Sequence, residues 1–431
     1  MVVLASVYER RREIFTLASV GLNPTHIFMV FLSEAFLLGF VGGSLGYILS
    51  FGILKLMQVA GIVVPVDVKT STLFEYLALL GRRCVVIGLP LSYPPKGLFN
   101  GIMFSDFLYP RISVFPSSKS HYLKRSGYKP VADTTKRGIS LIGEALETLR
   151  RRLDLAKTLL LEEEWDFFMV VFMMLDRIQH FFWRFVDPSH PNYEEGRLSG
   201  LVKEAYLRMD RIVRDFLHVI DEETMVMVLS DHGFCPVHKE VFINNYLEEL
   251  GLLRISRGQI DLKRSKAVSY GYGDIWLNVR GREPHGIVNP GAEYEELRSQ
   301  IIDELRKIAV DGEAPIKDIK RREEIYWGPH LHTAPDLITI FNVGWQAARN
   351  PEFVEKTPSR RYVNDHPRWS GGHDGTHDPS DVPGFLAIYH PELQPRIGVR
   401  VPLWSLAPTI LALMDIPIPV DMDGKPLLGG V

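Results

Sequence analysis

The sequence predicts an α/β protein built on a mostly parallel β-sheet with helices on both faces. Apolar runs of strand length recur at residues 84–88, 165–175, 225–229, 337–341 and 385–389. Amphipathic stretches of helical period lie between or beside them, at 73–80, 139–158, 201–219 and 293–308. Strands that alternate with helices favour parallel pairing, because a parallel crossover needs a long connection. A third observation marks the functional end of such a sheet. Two of the runs lead into Asp and His residues, and α/β sheets gather functional groups at the carboxyl ends of their strands.

The chain has 431 residues, enough for one large domain and an additional segment. Its 46% hydrophobic and 23% charged content excludes an intrinsically disordered protein. A formal net charge of -3 supplies no basic footprint, so double-stranded nucleic acid is not an expected partner. Cys84 and Cys235 form no C-x-x-C pair, which argues against a disulfide framework and against a cysteine metal site. No internal repeat or low-complexity tract is present.

The first segment differs from the rest. Residues 35–54 carry no charge and include Gly39, Gly42, Gly43, Gly46 and Gly52. That length suits a membrane-spanning helix, and the Gly39/Gly43 and Gly42/Gly46 spacings suit close helix packing in a bilayer. The sequence therefore predicts one membrane helix over about residues 28–58, within a segment 1–64. The basic cluster Arg10-Arg11-Arg12 would hold its N-terminal side in the cytoplasm. The apolar stretch is too long and too late for a secretory signal. The alternative is a buried glycine-rich core helix. Pro65, Asp67 and Lys69 end the apolar run, and residues 65–431 form the predicted α/β domain.

Three clusters in that domain carry chemistry. The run after Phe167 leads to Asp176 and then His180, four residues apart, so a helical turn would let carboxylate and imidazole converge. The run 225–229 ends in Ser230-Asp231-His232-Gly233, an Asp–His pair at a strand terminus with a glycine to permit the turn. Residues 371–377 form a glycine-loosened loop with His373 and His377. Imidazole nitrogen and carboxylate oxygen suit zinc, manganese or iron, and paired sites of this kind clamp the attacking and leaving oxygens of a phosphoryl group. Each cluster has a plainer reading: a helix-capping carboxylate beside a surface imidazole, an Asp-His-Gly turn, and two solvated loop histidines. Their joint presence in one chain favours a metal site.

The order Asp176-x-x-x-His180, then Ser230-Asp231-His232-Gly233-Phe234, then a late glycine-flanked histidine resembles the alkaline phosphatase superfamily. Within it the sequence is most similar to the type I phosphodiesterase/nucleotide pyrophosphatase group, in its archaeal-type phosphohydrolase or phosphomutase branch. Further matching stretches are Ile87-Gly88-Leu89-Pro90 with Tyr93-Pro94-Pro95, Arg177 through Trp183, Gly281-Arg282-Glu283-Pro284, Ala334-Pro335-Asp336-Leu337, and Ala407-Pro408-Thr409 with Asp421-Met422-Asp423-Gly424. The likeness runs from about residue 67 to the C-terminus. It implies an alkaline-phosphatase-like fold and hydrolysis of phosphate esters of the phosphodiester or nucleotide pyrophosphate class, with phosphomutase chemistry as an alternative.

The same resemblance implies two divalent metals, zinc first, with manganese or iron compatible. Asp176 and His180 would hold one, joined by a histidine of the late loop. His373, which follows Ser370-Gly371-Gly372, is favoured over His377, which leads into Asp378-Pro379. Asp231 and His232 would hold the second. His121, His238 and His330 are expected to be structural or exposed. Members of the group use a metal-activated threonine or serine that attacks phosphorus and forms a phospho-enzyme. Their first strand ends in an aspartate that binds the second metal.

Neither that aspartate nor that nucleophile is recognisable here. Asp67, Thr70, Ser71 and Thr72 occupy roughly the corresponding place, and Thr72 leads straight into a helical stretch. The sequence therefore predicts an N-terminally truncated domain with impaired activity. Residues 1–64 resemble a fragment of FtsX-like ABC permeases, through Ala5 to Ile14, Val20-Gly21, Glu34 to Gly39 and Gly42 to Gly46. The chain reads as a fusion, placed at a membrane by its N-terminal helix, although relatives of the second part are mostly soluble. The expected small-molecule partner is a phosphate ester. The non-catalytic alternative is a permease remnant joined to a degenerate hydrolase domain.

Overall fold

A computed structural model of the chain describes residues 72–90, 92, 100–105, 112–256, 259–348, 362–373, 377–390, 398 and 400–427. The predicted membrane helix at about 28–58 lies outside these residues, as do Asp67, Thr70 and Ser71. Among the described residues no helix is long and apolar enough to cross a membrane.

The chain enters the described region through α1 (Leu73–Leu79), and its start is chemically defined. The Thr72 hydroxyl accepts from the Glu75 amide at 3.4 Å, and the Glu75 carboxylate accepts from the Thr72 amide at 2.7 Å. This reciprocal cap satisfies two helix-terminal donors, so the Thr72 hydroxyl has a structural task. Next come β1 (Cys84–Ile87), β2 (Ile102–Phe104), β3 (Val114–Phe115) and β4 (Phe167–Val170), with α2 (Ser120–Ser126) and α3 (Gly138–Glu162) between β3 and β4. They form one sheet in the order β3-β2-β1-β4, in which β1 pairs parallel with both neighbours.

Side-chain alternation along β1 creates two core layers. Cys84 and Val86 pack with Phe74 and Leu77 of α1 on one face. Val85 and Ile87 pack with Leu155 and Leu159 of α3 on the other. A strand buried on both sides needs a continuous apolar run, and the sequence Cys-Val-Val-Ile supplies one. Beyond α3, the helices α4 (Met174–Phe182) and α5 (Arg197–Leu217) pack against it through Leu141, Ile142, Ile178, Phe182, Val202 and Ile212.

The second half continues with β5 (Val226–Leu229), β6 (Cys235–Val241), α6 (Ile243–Glu249), β7 (Ile255–Ser256), β8 (Gln259–Ile260), β9 (Ala267–Ser269) and β10 (Asp274–Leu277). Then follow α7 (Ala292–Leu305), β11 (Ile316–Arg321), α8 (Arg322–Ile325), β12 (Leu337–Phe341), β13 (Gly344–Ala347), β14 (Val363–Asn364), β15 (Gly371–Gly372), β16 (Leu386–Tyr389) and α9 (Leu406–Leu413). An antiparallel sheet β11-β12-β10-β9 covers a core that includes Ile275, Leu277, Leu337, Phe341 and Ile301 of α7. In a second sheet β6 lies between β13 and β14 and also pairs with β15. Among the described residues the strand β5 pairs with β16 alone, antiparallel, in a sheet of two.

The expectation of a mostly parallel sheet therefore needs correction. Among the described strands parallel ladders are those of β2-β1-β4 and of β6 with β13, whereas the strands at 337–341 and 386–389 form antiparallel ladders. An apolar run reports burial and not direction, so periodicity cannot distinguish the two pairings. The run at 165–175 also divides, because its strand ends at Val170 and α4 begins at Met174.

Two carboxylates of the second half behave oppositely. Asp336 is fully buried and accepts from both Arg282 terminal nitrogens at 2.6 Å, from the Tyr294 hydroxyl at 2.6 Å and from the Leu277 amide at 2.7 Å. Asp274 is half-buried, and among the described residues its side chain makes no hydrogen bond or ion pair. Burial therefore pushes its carboxyl up to about 6. A carboxyl raised in the folded state stabilises the fold at low pH, and that contribution is lost as pH rises from about 4 through about 6. Asp274→Asn should stabilise the protein at pH 8 by roughly 1–3 kcal/mol and leave it nearly unchanged at pH 4. Urea midpoints at the two pH values test this; an equal gain at both would refute it.

Candidate metal centre

The site is assembled where α4, the end of β5 and the β15 loop meet. Asp176 falls in the first turn of α4 and His180 one turn later, so both side chains share a face. The third contributor, His373, follows the β15 glycines. The three donor atoms are mutually close. Asp176 Oδ1 lies 3.4 Å from His180 Nε2 and 3.3 Å from His373 Nε2, and the two imidazole nitrogens are 3.2 Å apart. Among the described residues this is the one group of three or more potential ligands with such convergence.

Those separations can be compared with what a cation requires. Nitrogen and oxygen ligands about 2.0–2.1 Å from a tetrahedral zinc stand about 3.3 Å from one another. The observed edges match, so the donor set fits a divalent metal of that size. Orientation agrees as well. The Nδ1 of His180 lies 2.9 Å from the Gly371 carbonyl, which fixes the ring with its proton on Nδ1 and its Nε2 lone pair turned towards Asp176.

Electrostatics favour the same protonation states. Burial would raise the Asp176 carboxyl, but contacts from His180 and His373, with Arg177 nearby, outweigh it and hold the carboxyl well below the usual carboxylate range. Burial lowers the His180 imidazole, which keeps it neutral despite the carboxylate beside it. An ionised carboxylate and a neutral imidazole are the forms that ligate a metal.

Asp231 and His232 sit at the edge of this cluster. His232 Nδ1 lies 2.9 Å from the Gly233 carbonyl, and its Nε2 is 3.5 Å from Asp231 Oδ1. The His232 ring stacks on that of His373, with centroids 3.3 Å apart and planes inclined by 4°. Asp231 is 73% exposed. This pair supplies two donors where a closed site uses four and a catalytic site three. None of the five side chains is hydrogen-bonded to a serine or threonine among the described residues.

His377 lies elsewhere. It is buried, its Nε2 is 3.0 Å from the Trp345 carbonyl, and its backbone bridges Phe341 beside β12. The structure thus places His373, and not His377, beside Asp176 and His180. His121 and His330 lie at the surface, and His238 is half-buried against His190.

Several supporting groups escaped the sequence reading. Phe234 packs its ring against His180, His232 and His373, with centroid distances of 4.9, 5.5 and 4.8 Å. Trp369 lies 3.7 Å from the His180 ring. The Ser370 amide donates to the His180 carbonyl at 2.7 Å, which ties the late loop to α4. The visible signal was the contiguous Trp369-Ser370-Gly371-Gly372-His373, in which the glycines have a steric reason. A Cβ on Gly371 would stand 2.6 Å from the Gln179 carbonyl oxygen, and one on Gly372 would stand 2.8 Å from Val237. Gly371→Ala should therefore push the loop off α4 and weaken zinc binding at least tenfold, with the far-ultraviolet circular dichroism kept. Unchanged zinc affinity in that variant would show that the loop tolerates the shift.

A comparison with family models matches residues 67–375 to the type I phosphodiesterase / nucleotide pyrophosphatase family. It matches residues 1–116 to the FtsX-like permease C-terminal family. The two matches overlap over residues 67–116. There β1 and β2 lie in one sheet with β4, the strand that leads to Asp176. A search of curated proteins gives no match.

Among solved structures, human ectonucleotide pyrophosphatase/phosphodiesterase 5 is similar at a TM-score of 0.42 and 11% identity, over 84% of this chain and 72% of that one. Its murine counterpart gives 0.37 and 11%, over 74% and 64%. A variant of the alkaline phosphatase PafA gives 0.36 and 14%, over 66% and 52%. The chain thus spans less than two thirds of the last two.

Proposed function

The chain belongs to the type I phosphodiesterase / nucleotide pyrophosphatase family, and from that premise we propose that residues 65–431 form a metal-dependent phosphate-ester hydrolase domain of low activity. The observation that carries the reading is the convergence of Asp176, His180 and His373 at 3.2–3.4 Å, with Asp231 and His232 beside them. Asp176, His180 and His373 would hold one divalent cation, zinc by the donor set, and Asp231 with His232 would bind a second more weakly. Such a cation neutralises charge on the transferring phosphoryl group.

The protein's own groups do the rest. The Gly371 carbonyl keeps the His180 lone pair aimed inward, and Phe234 and Trp369 shield the imidazoles from water. Asp231 is exposed and so open to a phosphate ester from solvent. Among the described residues the second position has two donors, which is the reason for expecting slow turnover. The phosphodiester and nucleotide pyrophosphate class is the substrate class that fits the family. Residues 1–64 are read as an FtsX-like segment that associates the domain with a membrane; the match to 1–116 supports this reading.

The test is hydrolysis of a chromogenic phosphodiester by the detergent-solubilised chain, with zinc or manganese added, beside Asp231→Ala. Metal-dependent turnover that falls at least about tenfold in the variant supports the proposal. No turnover from folded, metal-loaded protein would leave the non-catalytic reading, which the open second position also favours.

A further inference from the structure

The turn after α8 and the turn that leads into α9 meet at the surface in a patch of exposed apolar side chains. Trp327 and Trp404 stand edge to face, with ring centroids 5.9 Å apart and planes at 81°. They are 59% and 56% exposed, and Leu403 beside them is 55% exposed. Of the seven tryptophans, all among the described residues, these two alone are exposed. Scattered surface apolar groups need no explanation, but large ones in mutual contact mark an interaction surface.

The C-terminal segment holds the patch in place. The Trp327 indole N–H donates to Asp423 Oδ1 at 3.0 Å, and a Cβ on Gly424 would stand 2.0 Å from the Trp404 carbonyl oxygen. With its one polar hydrogen engaged inside the protein, Trp327 offers solvent a carbon surface. The same segment reaches α1. There the Tyr76 hydroxyl donates to the Pro417 carbonyl at 3.0 Å, and Ile416, Ile418 and Met422 pack with Leu73 and Phe74. In sequence α1 is the first described element after the uncharged residues 35–54, and Thr72 follows Leu54 by eighteen positions. Such a link spans at most about 65 Å, so a bilayer that held the uncharged stretch would keep this patch at high effective concentration beside its surface.

We propose that Trp327, Leu403 and Trp404 dock the domain onto the lipid surface of a bilayer, with the two indoles at the level where headgroups meet acyl chains. Indole rings favour that level because one end is apolar and the other can stay wet. Asp421 and Asp423 lie in the same segment beside a single Lys425, so the patch has no excess positive charge. Zwitterionic headgroups therefore suit it better than anionic ones. The inference rests on the membrane reading of residues 1–64 and does not depend on the hydrolase reading. Docking would hold the tethered domain in one orientation against the bilayer.

The full chain reconstituted into phosphatidylcholine vesicles tests the proposal, with flotation reading attachment and tryptophan emission reading docking. No tryptophan precedes Trp165, so the emission reports the α/β domain and not residues 1–64. Acyl-brominated lipid should quench the emission relative to plain lipid, with a loss on the order of the share of two tryptophans in seven. That loss should vanish in Trp327→Phe/Trp404→Phe and roughly halve in Leu403→Asp, with zinc binding at Asp176 unchanged in both variants. A chain that floats with the vesicles but is not quenched overturns the proposal and leaves the membrane reading standing. A chain that does not float overturns both. Undiminished quenching in the double variant also refutes the proposal, since other tryptophans then face the lipid. If acrylamide cannot reach the two indoles while brominated lipid leaves them bright, another protein surface covers the patch and the lipid assignment is wrong.

Discussion

Asp176→Ala should reduce zinc affinity at least about 100-fold and remove any metal-dependent phosphodiesterase activity, with secondary structure intact. The reason is geometric and electrostatic together. Asp176 is the one anionic ligand of the three, and its Oδ1 stands 3.4 and 3.3 Å from the two imidazole nitrogens. Without it, two imidazoles face each other at 3.2 Å and no anionic ligand of the three compensates a divalent cation. Loss of a group that merely orients a ligand already costs 10- to 100-fold, roughly, so loss of the ligand itself costs more.

His373→Ala should behave similarly. His377→Gln should not, because that imidazole is committed to the Trp345 carbonyl. Competition for zinc against a chromophoric chelator, across the three variants, gives the answer. If His377→Gln loses zinc as completely as Asp176→Ala, the late loop supplies its other histidine and the assignment of His373 fails.

The second large effect concerns stability. Asp336→Ala should cost about 3–5 kcal/mol, because it leaves a charged guanidinium, a buried phenol and a backbone amide without their acceptor. The carboxylate is fully buried, so no water can substitute. Its partner Arg282 is held above its ordinary range: burial opposes the charge, and Asp336 more than restores it. Arg322 also approaches the carboxylate, at 3.4 Å.

Asp336→Asn should cost less, since an amide oxygen still accepts from Tyr294 or Leu277, but it leaves Glu283 as the Arg282 counter-charge in place of the buried carboxylate. Replacing Arg282 and Asp336 together by apolar residues should recover part of the loss, as expected when both members of a buried pair go. Denaturant midpoints at constant slope measure all three. A cost below about 1 kcal/mol for Asp336→Ala would mean that the antiparallel sheet reorganises around the gap.

What the sequence disclosed follows from which interactions are local. Asp176 and His180 are four apart on a helix, so their convergence could be foreseen from helical geometry alone. Asp231 and His232 were legible because an apolar run stops abruptly in front of them. Local pattern favoured His373 over His377 only slightly, through the Ser370-Gly371-Gly372 entry. In an irregular loop a four-residue offset carries no fixed direction, and the choice depends on Gly371 lying against Gln179 and on Trp345 accepting from His377.

Strand direction was hidden for a related reason: Leu337–Phe341 is equally apolar whether its neighbours run parallel or antiparallel. The Asp336 network was present in the sequence only as two short stretches, 281–284 and 334–337. Its chemistry emerges when β10 and β12 place Leu277, Arg282 and Asp336 together.

The interruption between β4 and β5 has a consequence for cooperativity. Each strand leads its own half of the donor set to one point, yet no ladder of backbone hydrogen bonds joins the two sheets among the described residues. His180 and His373 are 193 positions apart in sequence, and the ends of the chain between them meet through the contacts of the β15 loop with α4, the Arg184–Ser370 hydrogen bond and the imidazole cluster. A ligand that grips Asp176, His180 and His373 at once therefore acts as a clasp on a very long loop. Such a ligand restricts local opening at this junction. Metal loading should thus tighten the junction of the two sheets, and the β5–β16 pair stands to gain the most protection.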